Sequence, residues 1–106
     1  MGKVIEINQE NFKKEVLESE KPVLLDFFAT WCGPCRALGP VVDEIAQQFD
    51  AVKFAKLDVD KSPTIASEFS VMSIPTLCLF NDGKVVDKAI GGLTKEELVG
   101  FINKNL

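Results

Sequence analysis

Residues 22–29, PVLLDFFA, restrict the fold more than any other stretch of the chain. Side chains of an extended segment alternate between two faces. Val23, Leu25 and Phe27 then point one way, and Leu24, Asp26 and Phe28 the other. Both faces are apolar apart from a single carboxylate. A strand of this kind needs cover on both sides, as it has in a parallel α/β sheet with helices over each face.

The flanking segments read in the same sense. Residues 4–7 (VIEI) alternate as a short strand, and residues 11–19 place Phe12, Val16 and Leu17 on one helical stripe. Val41, Val42, Ile45, Ala46 and Phe49 form a second stripe reaching about residue 49. Residues 53–59 (KFAKLDV) alternate as a strand. Ser62 and Pro63 signal a helix start, Ser62 as N-cap and Pro63 in the first position, and that helix buries Ile65, Ala66 and Phe69. Residues 76–80 (TLCLF) read as another buried strand, residues 81–84 (NDGK) as a turn, and residues 85–90 (VVDKAI) as the returning arm of a hairpin. Gly91 and Gly92 end it. Thr94 with Glu97 makes a capping box for a last helix showing Leu98, Phe101, Ile102 and Leu106.

The expected order is βαβαβαββα, an α/β fold whose central mixed sheet is flanked by helices. Parallel βαβ units come first and an antiparallel hairpin last. No linker, repeat or low-complexity segment divides residues 1–106, so a single domain is expected, long enough to bury a real core.

Composition narrows the function. The net charge is −4 with no cluster of Lys or Arg, which argues against nucleic acid and anionic membrane as partners. The longest apolar runs are about four residues, against the roughly twenty that span a bilayer. The first twelve residues hold no apolar signal core. A soluble cytoplasmic protein is expected. There is no histidine, so Cys–His and Ser–His–Asp machinery are excluded. Proton transfer near neutral pH falls to a thiol, a perturbed carboxylate, a lysine or water.

Residues 30–40, TWCGPCRALGP, carry the chemistry. On helical geometry Cys32 and Cys35 have Cα atoms about 5 Å apart, inside the window of a disulfide. A thiol at the helix N-terminus meets unpaired N–H groups and the positive dipole end, which lower its pKa, so Cys32 is the expected nucleophile. Cys35, a turn deeper and more buried, is placed to attack the mixed disulfide. Gly33 leaves the turn open to a partner's backbone, and Pro34 costs nothing in a first turn. Pro40 falls inside the helix. It implies a kinked single helix in preference to two short helices meeting at Gly39 and Pro40.

A zinc site wants four ligands, and only Cys78 remains, so no metal is expected. A structural disulfide here would close a very small loop and constrain little. Three cysteines suit no secreted framework. Catalytic dithiol chemistry is the reading left. Trp31 reads as a partly exposed apolar lid beside the pair, and Cys78 as a buried small hydrophobe. The glycines nowhere spell G-x-G-x-x-G, so no nicotinamide cofactor is expected on this chain.

Asp26 in LLDFFA, WCGPC, FAKLDVD, SIPTL with Pro75, the NDGK turn and IGG before a capped helix occur in one order over essentially the whole length. In this the chain resembles the thioredoxin family. The resemblance implies the thioredoxin fold and a general protein-disulfide reductant, a protein-disulfide oxidoreductase recycled by a thioredoxin reductase. It implies Cys32 as nucleophile, Cys35 as resolving thiol, and no cofactor beyond their redox-active disulfide. Pro75 would be a cis-proline facing the pair. Trp31, Gly33, Pro34, Ser73, Ile74, Pro75, Ile90 and Gly91 would form the surface for substrate proteins. A monomer is expected. Gly33 and Pro34 between the cysteines speak, by the same resemblance, against an oxidase or isomerase. Phe28 stands where the family often has tryptophan, and Ser73 where its bacterial members often have glycine.

Asp26 is expected to be a buried acid with a raised pKa that takes the proton of Cys35. The other reading of Asp26 is a structural acid paired with Lys56, which the resemblance places nearby; Lys56 would then modulate Asp26. A second function remains open: a docking module using the apolar surface around Trp31, Ile74 and Ile90.

Overall fold

Five strands form one sheet: β1 (Val4–Ile7), β2 (Val23–Phe28), β3 (Lys53–Asp58), β4 (Thr76–Asn81) and β5 (Lys84–Ile90). The computed structural model describes residues 3–106; Met1 and Gly2 of the expected 1–106 domain lie outside the described residues. The strand order is β1-β3-β2-β4-β5. β1, β3 and β2 run parallel, and β4 and β5 are antiparallel.

The doubly apolar segment is the central strand, as its pattern requires. Val23, Leu25 and Phe27 enter one core with Phe12, Val16, Ile65 and Phe80. Leu24 enters a second core with Leu38, Val42, Ile45, Leu98 and Ile102. All four β2 residues named are fully buried. Burying each such side chain stabilises the fold by about 1.5–3 kcal/mol. Truncating Leu24 to alanine would cost about 2–5 kcal/mol with the cavity left behind.

The helices divide between the faces. α1 (Gly33–Ala46) and α3 (Lys95–Asn103) cover the second core. A short helical segment, Lys13–Leu17, and α2 (Pro63–Glu68) cover the first. α1 runs unbroken through Pro40, so the single-helix reading holds. It stops earlier than expected: Phe49 lies beyond it and packs half-buried against the second core.

Four other expectations need correction. Lys13–Leu17 is a π turn, closed by the Glu18 N–H donating to the Lys13 carbonyl at 2.9 Å. Its wider winding still lays Phe12, Val16 and Leu17 on one core. Ser62 holds the N-cap position of α2, but its side chain makes no capping bond; it is buried. Phe69 lies one residue past α2 and joins Phe12 and Phe80 in an aromatic trio. Leu106 is beyond α3 and mostly exposed, so the apolar stripe ends at Ile102.

The capping box of α3 is complete, with the Glu97 N–H donating to Thr94 Oγ1 at 3.1 Å and the Thr94 N–H to Glu97 Oε1 at 2.9 Å. In the hairpin Asp82 and Gly83 both have positive φ, 53° and 78°, as a tight two-residue β-turn demands. Gly83 is doubly constrained, because a Cβ there would stand 3.0 Å from the Leu17 carbonyl oxygen. Register slips in the same hairpin. Leu79 pairs with Asp87 and Phe80 with Val85, leaving Val86 as the extra residue of a bulge.

Candidate active site

The central strand β2 ends at Phe28, and α1 begins at Gly33. Cys32 is the N-cap of α1, with extended backbone, and its Sγ accepts the Cys35 N–H at 3.2 Å. The sulfur thus occupies the place that a Ser or Asp oxygen takes at an ordinary helix start. A negative sulfur there is stabilised by that N–H and by the positive end of the helix. Pro34 sits in the first turn, where no donor is lost.

Cys32 and Cys35 are joined as a disulfide, their Cα atoms 5.2 Å apart, in line with the spacing expected from sequence. Burial does not separate them as expected: Cys32 is 5% and Cys35 4% exposed. What differs is their surroundings. Cys32 Sγ stands 3.9 Å from the Ile74 carbonyl oxygen, whereas Cys35 lines a cavity that leads to Asp26.

That cavity measures about 240 Å³ and is lined by Asp26, Cys35, Arg36, Gly39 and Lys56 among others. Asp26 is 4% exposed, and its Oδ1 has no hydrogen-bond partner among the described residues. Burial pushes the carboxyl from its ordinary 3.8 up to about 7; Lys56 pulls against that rise and Asp43 adds to it. Lys56 is opposite Asp26 in the β2–β3 register. The two form no ion pair within 4 Å among the described residues, and the Lys56 ammonium lies 5.9 Å from the centre of the Phe28 ring. The expected pairing is therefore an influence at a distance.

The residues expected to face a substrate come from three segments of the chain. The Ile74–Pro75 peptide bond is cis. The Thr76 hydroxyl donates to the Ser73 carbonyl at 2.7 Å, and the Gly91 N–H to the Pro75 carbonyl at 2.8 Å. Gly91 has φ 92°, a conformation that favours glycine. Trp31 and Ile90 are 66% and 68% exposed. Of these residues Ile74 packs against the two cysteines, and Gly33 and Pro34 are exposed between them.

Two neighbours were not anticipated. Asp60 accepts the Trp31 indole N–H at 2.8 Å and so fixes the ring. The acid-rich end of FAKLDVD was its only signal. Met72, 92% exposed, adds a further apolar side chain two residues before Ile74. Cys78 is fully buried in β4 with its thiol pKa raised by burial, consistent with a small hydrophobe. Among the described residues no group of three His, Cys, Asp or Glu could hold a metal.

A dithiol at a helix N-terminus, on an α/β sheet and under an apolar rim, defines a thiol–disulfide oxidoreductase. The sequence model of the family described as Thioredoxin matches residues 3–104. The chain is 50% identical to Thioredoxin 1 of Synechococcus elongatus over 94% of both chains. It is 46% identical to the thioredoxin of Rickettsia felis over 94% of this chain and 96% of that one. It is 48% identical to the chloroplastic M-type thioredoxin of Chlamydomonas reinhardtii, over 94% of this chain and 72% of the other. The chain belongs to the thioredoxin family. It has the thioredoxin fold and is a protein-disulfide oxidoreductase that works as a thiol–disulfide reductant.

Proposed function

We propose that this chain is a general electron donor to protein disulfides, with each site residue in the role its surroundings suit. Cys32 attacks one sulfur of a substrate disulfide. That bond breaks, one substrate thiolate leaves, and a mixed disulfide to Cys32 remains. Cys35 then gives its proton to Asp26 and attacks Cys32 Sγ. The mixed disulfide breaks, the second substrate thiolate leaves and takes up a proton, and the Cys32–Cys35 disulfide forms. Two electrons have passed to the substrate. A thioredoxin reductase returns them, since the chain has no dinucleotide fingerprint of its own.

Lys56 modulates Asp26 through its charge. Trp31, Gly33, Pro34, Ser73, Ile74, Pro75, Ile90 and Gly91 hold the substrate polypeptide. Residues 1–106 act as one domain and as a monomer in the cytoplasm, without nucleic acid, membrane or metal. In support, no helix is long and apolar enough to cross a membrane among the described residues, and the net charge is −4.

The observation that most supports these roles is the shared cavity of Cys35 and an unpartnered Asp26. Cys35→Ser should leave stable mixed disulfides on Cys32, and Cys32→Ser none, both read by mass spectrometry after incubation with insulin. Faster labelling of Cys35 than Cys32 by iodoacetamide at mildly acidic pH would reverse the assignment. The exposed Trp31 and Ile90 would also suit a docking face with incidental redox chemistry. Insulin reduction coupled to a reductase separates the two, because a docking module would show no turnover.

A further inference from the structure

Next to the dithiol, between α1 and the start of α3, lies a second hollow of about 300 Å³. Its floor is Leu38, buried, and Leu93, half-buried. Pro34 and Ala37 stand on one side and Gly92 on the other. The α1 wall carries the Pro34 ring and the Ala37 methyl group, and Gly92 opposite carries no side chain. A Cβ at Gly92 would meet no atom within 4 Å. Exposed apolar surface of this kind marks a place of contact with other molecules.

The hollow adjoins the redox motif through Pro34. Pro34, which lines it, lies between Cys32 and Cys35. Gly92 follows Gly91, whose N–H is bonded to the Pro75 carbonyl. From Pro34 to Leu38 the helix advances about 6 Å, the length of about two residues of extended chain. The only charged residue on the rim is Glu97, held in place by the capping box. Thr94, the other polar residue of the lining, has its hydroxyl oxygen engaged by the Glu97 N–H, and Leu38 and Leu93 offer no side-chain donor to a carboxylate.

We infer that this hollow is a side-chain subsite for the polypeptide whose disulfide Cys32 attacks. It takes an uncharged aliphatic or aromatic side chain within about three residues of the attacked half-cystine, and it disfavours an acidic one. The inference rests on Cys32 being the attacking thiol.

The test uses the full reduced chain and synthetic peptides, each with one disulfide in a Gly/Ser background. Leu, Phe, Ser or Glu is placed in turn at each of three positions on either side of the half-cystine. Trp31 is the sole tryptophan and reports oxidation by its fluorescence. At one position Leu and Phe should react about tenfold faster than Ser, the size of discrimination one apolar contact gives, and Glu more slowly than Ser. Ala37→Leu fills the hollow from α1 and Gly92→Val from the loop. Each should bring the Leu-to-Ser ratio close to one, and a ratio taken within one variant divides out any general change in thiol reactivity. Equal rates for all peptides, or a ratio that survives both variants, would overturn the subsite. Loss of reaction with every peptide would overturn the role of Cys32 as well, and is a different result from equal rates. Self-association of the unaltered chain that Ala37→Leu abolishes would assign the hollow to a second copy and overturn the proposal.

Discussion

Lys53 and Lys56 lie three residues apart on β3, and each stands near a carboxylate of a neighbouring element. Lys53 reaches Glu15 directly, its ammonium 2.7 Å from Oε1 and 2.9 Å from the Glu15 carbonyl oxygen. That hydrogen bond and the lysine's charge hold the Glu15 carboxyl below its ordinary value, outweighing partial burial. Lys56 faces Asp26 across the ladder but makes no contact with the carboxylate, and burial dominates. Both lysines pull their acid down; burial outweighs Lys56 at Asp26 and does not outweigh Lys53 at Glu15. At buried Asp26 a cation on the next strand does not offset burial; at the more exposed Glu15 a hydrogen-bonded cation does. One region is thereby closed off as structure, and the other is left able to exchange a proton near neutral pH.

The largest effect should follow Asp26→Asn. The native carboxyl binds its proton more tightly than the unfolded one. Below about pH 4 both are protonated and burial carries no charge penalty. As pH rises from 4 to 7 the unfolded acid ionises first, so native stability falls, and above 7 the loss levels off at about 4 kcal/mol. Asparagine removes that loss. Urea unfolding should show a gain of up to about 4 kcal/mol at pH 8 and almost none at pH 3.5. Insulin reduction at pH 7 should drop about tenfold, less than a positioned base usually contributes because solvent can substitute at the cavity mouth. Unchanged activity with lowered stability would make Asp26 a structural acid and end the contrast with Glu15.

A smaller effect is expected for Lys56→Met. The lysine works against burial, so its removal should raise the Asp26 carboxyl above about 7. Carbon-13 NMR titration of the Asp26 carboxyl would show the rise, and the pH profile of insulin reduction should move the same way. A downward shift would mean that Lys56 acts on the site by packing and not by charge.

The smallest effect belongs to Glu15→Gln. The contribution of the Glu15–Lys53 pair is present above the ordinary glutamate pKa and is lost as pH falls through the lowered native value. A modest drop in melting temperature is expected at pH 7, shrinking with added salt and absent at pH 2. Insulin reduction should stay the same. A pH-dependent loss of activity in this variant would show that the two regions are coupled.

The features legible from sequence are those a local pattern dictates. Residues 22–29 could only be a covered strand, and Thr94 with Glu97 could only begin a helix economically. Spacing placed Cys32 and Cys35 within disulfide reach. Proximity across the sheet was less legible. Lys56 falls beside Asp26 only because β3 pairs with β2 in one register, and no local rule fixes the distance between their side chains. Asp60 reaches Trp31 across 29 residues of chain. The π turn at Lys13–Leu17 keeps the apolar stripe of an α-helix, so periodicity could not tell the two apart. Ser62 had the residue type and position of a cap, but tertiary packing buried its hydroxyl instead. The hollow beside Ala37 and Gly92 was invisible because it consists of side chains that are missing.

The bulge at Val86 has a consequence for how the sheet ends. β5 is one of its two outer strands, β1 being the other, and an outer strand is a template on which an extended polypeptide can pair. The extra residue breaks the spacing of that template, and exposed Lys84 and Lys88 put charge on either side of the break. A reductant of protein disulfides meets other polypeptides, and an extended segment of one could pair with such an edge. Interrupted at Val86, the β5 edge is a poorer template for such strands.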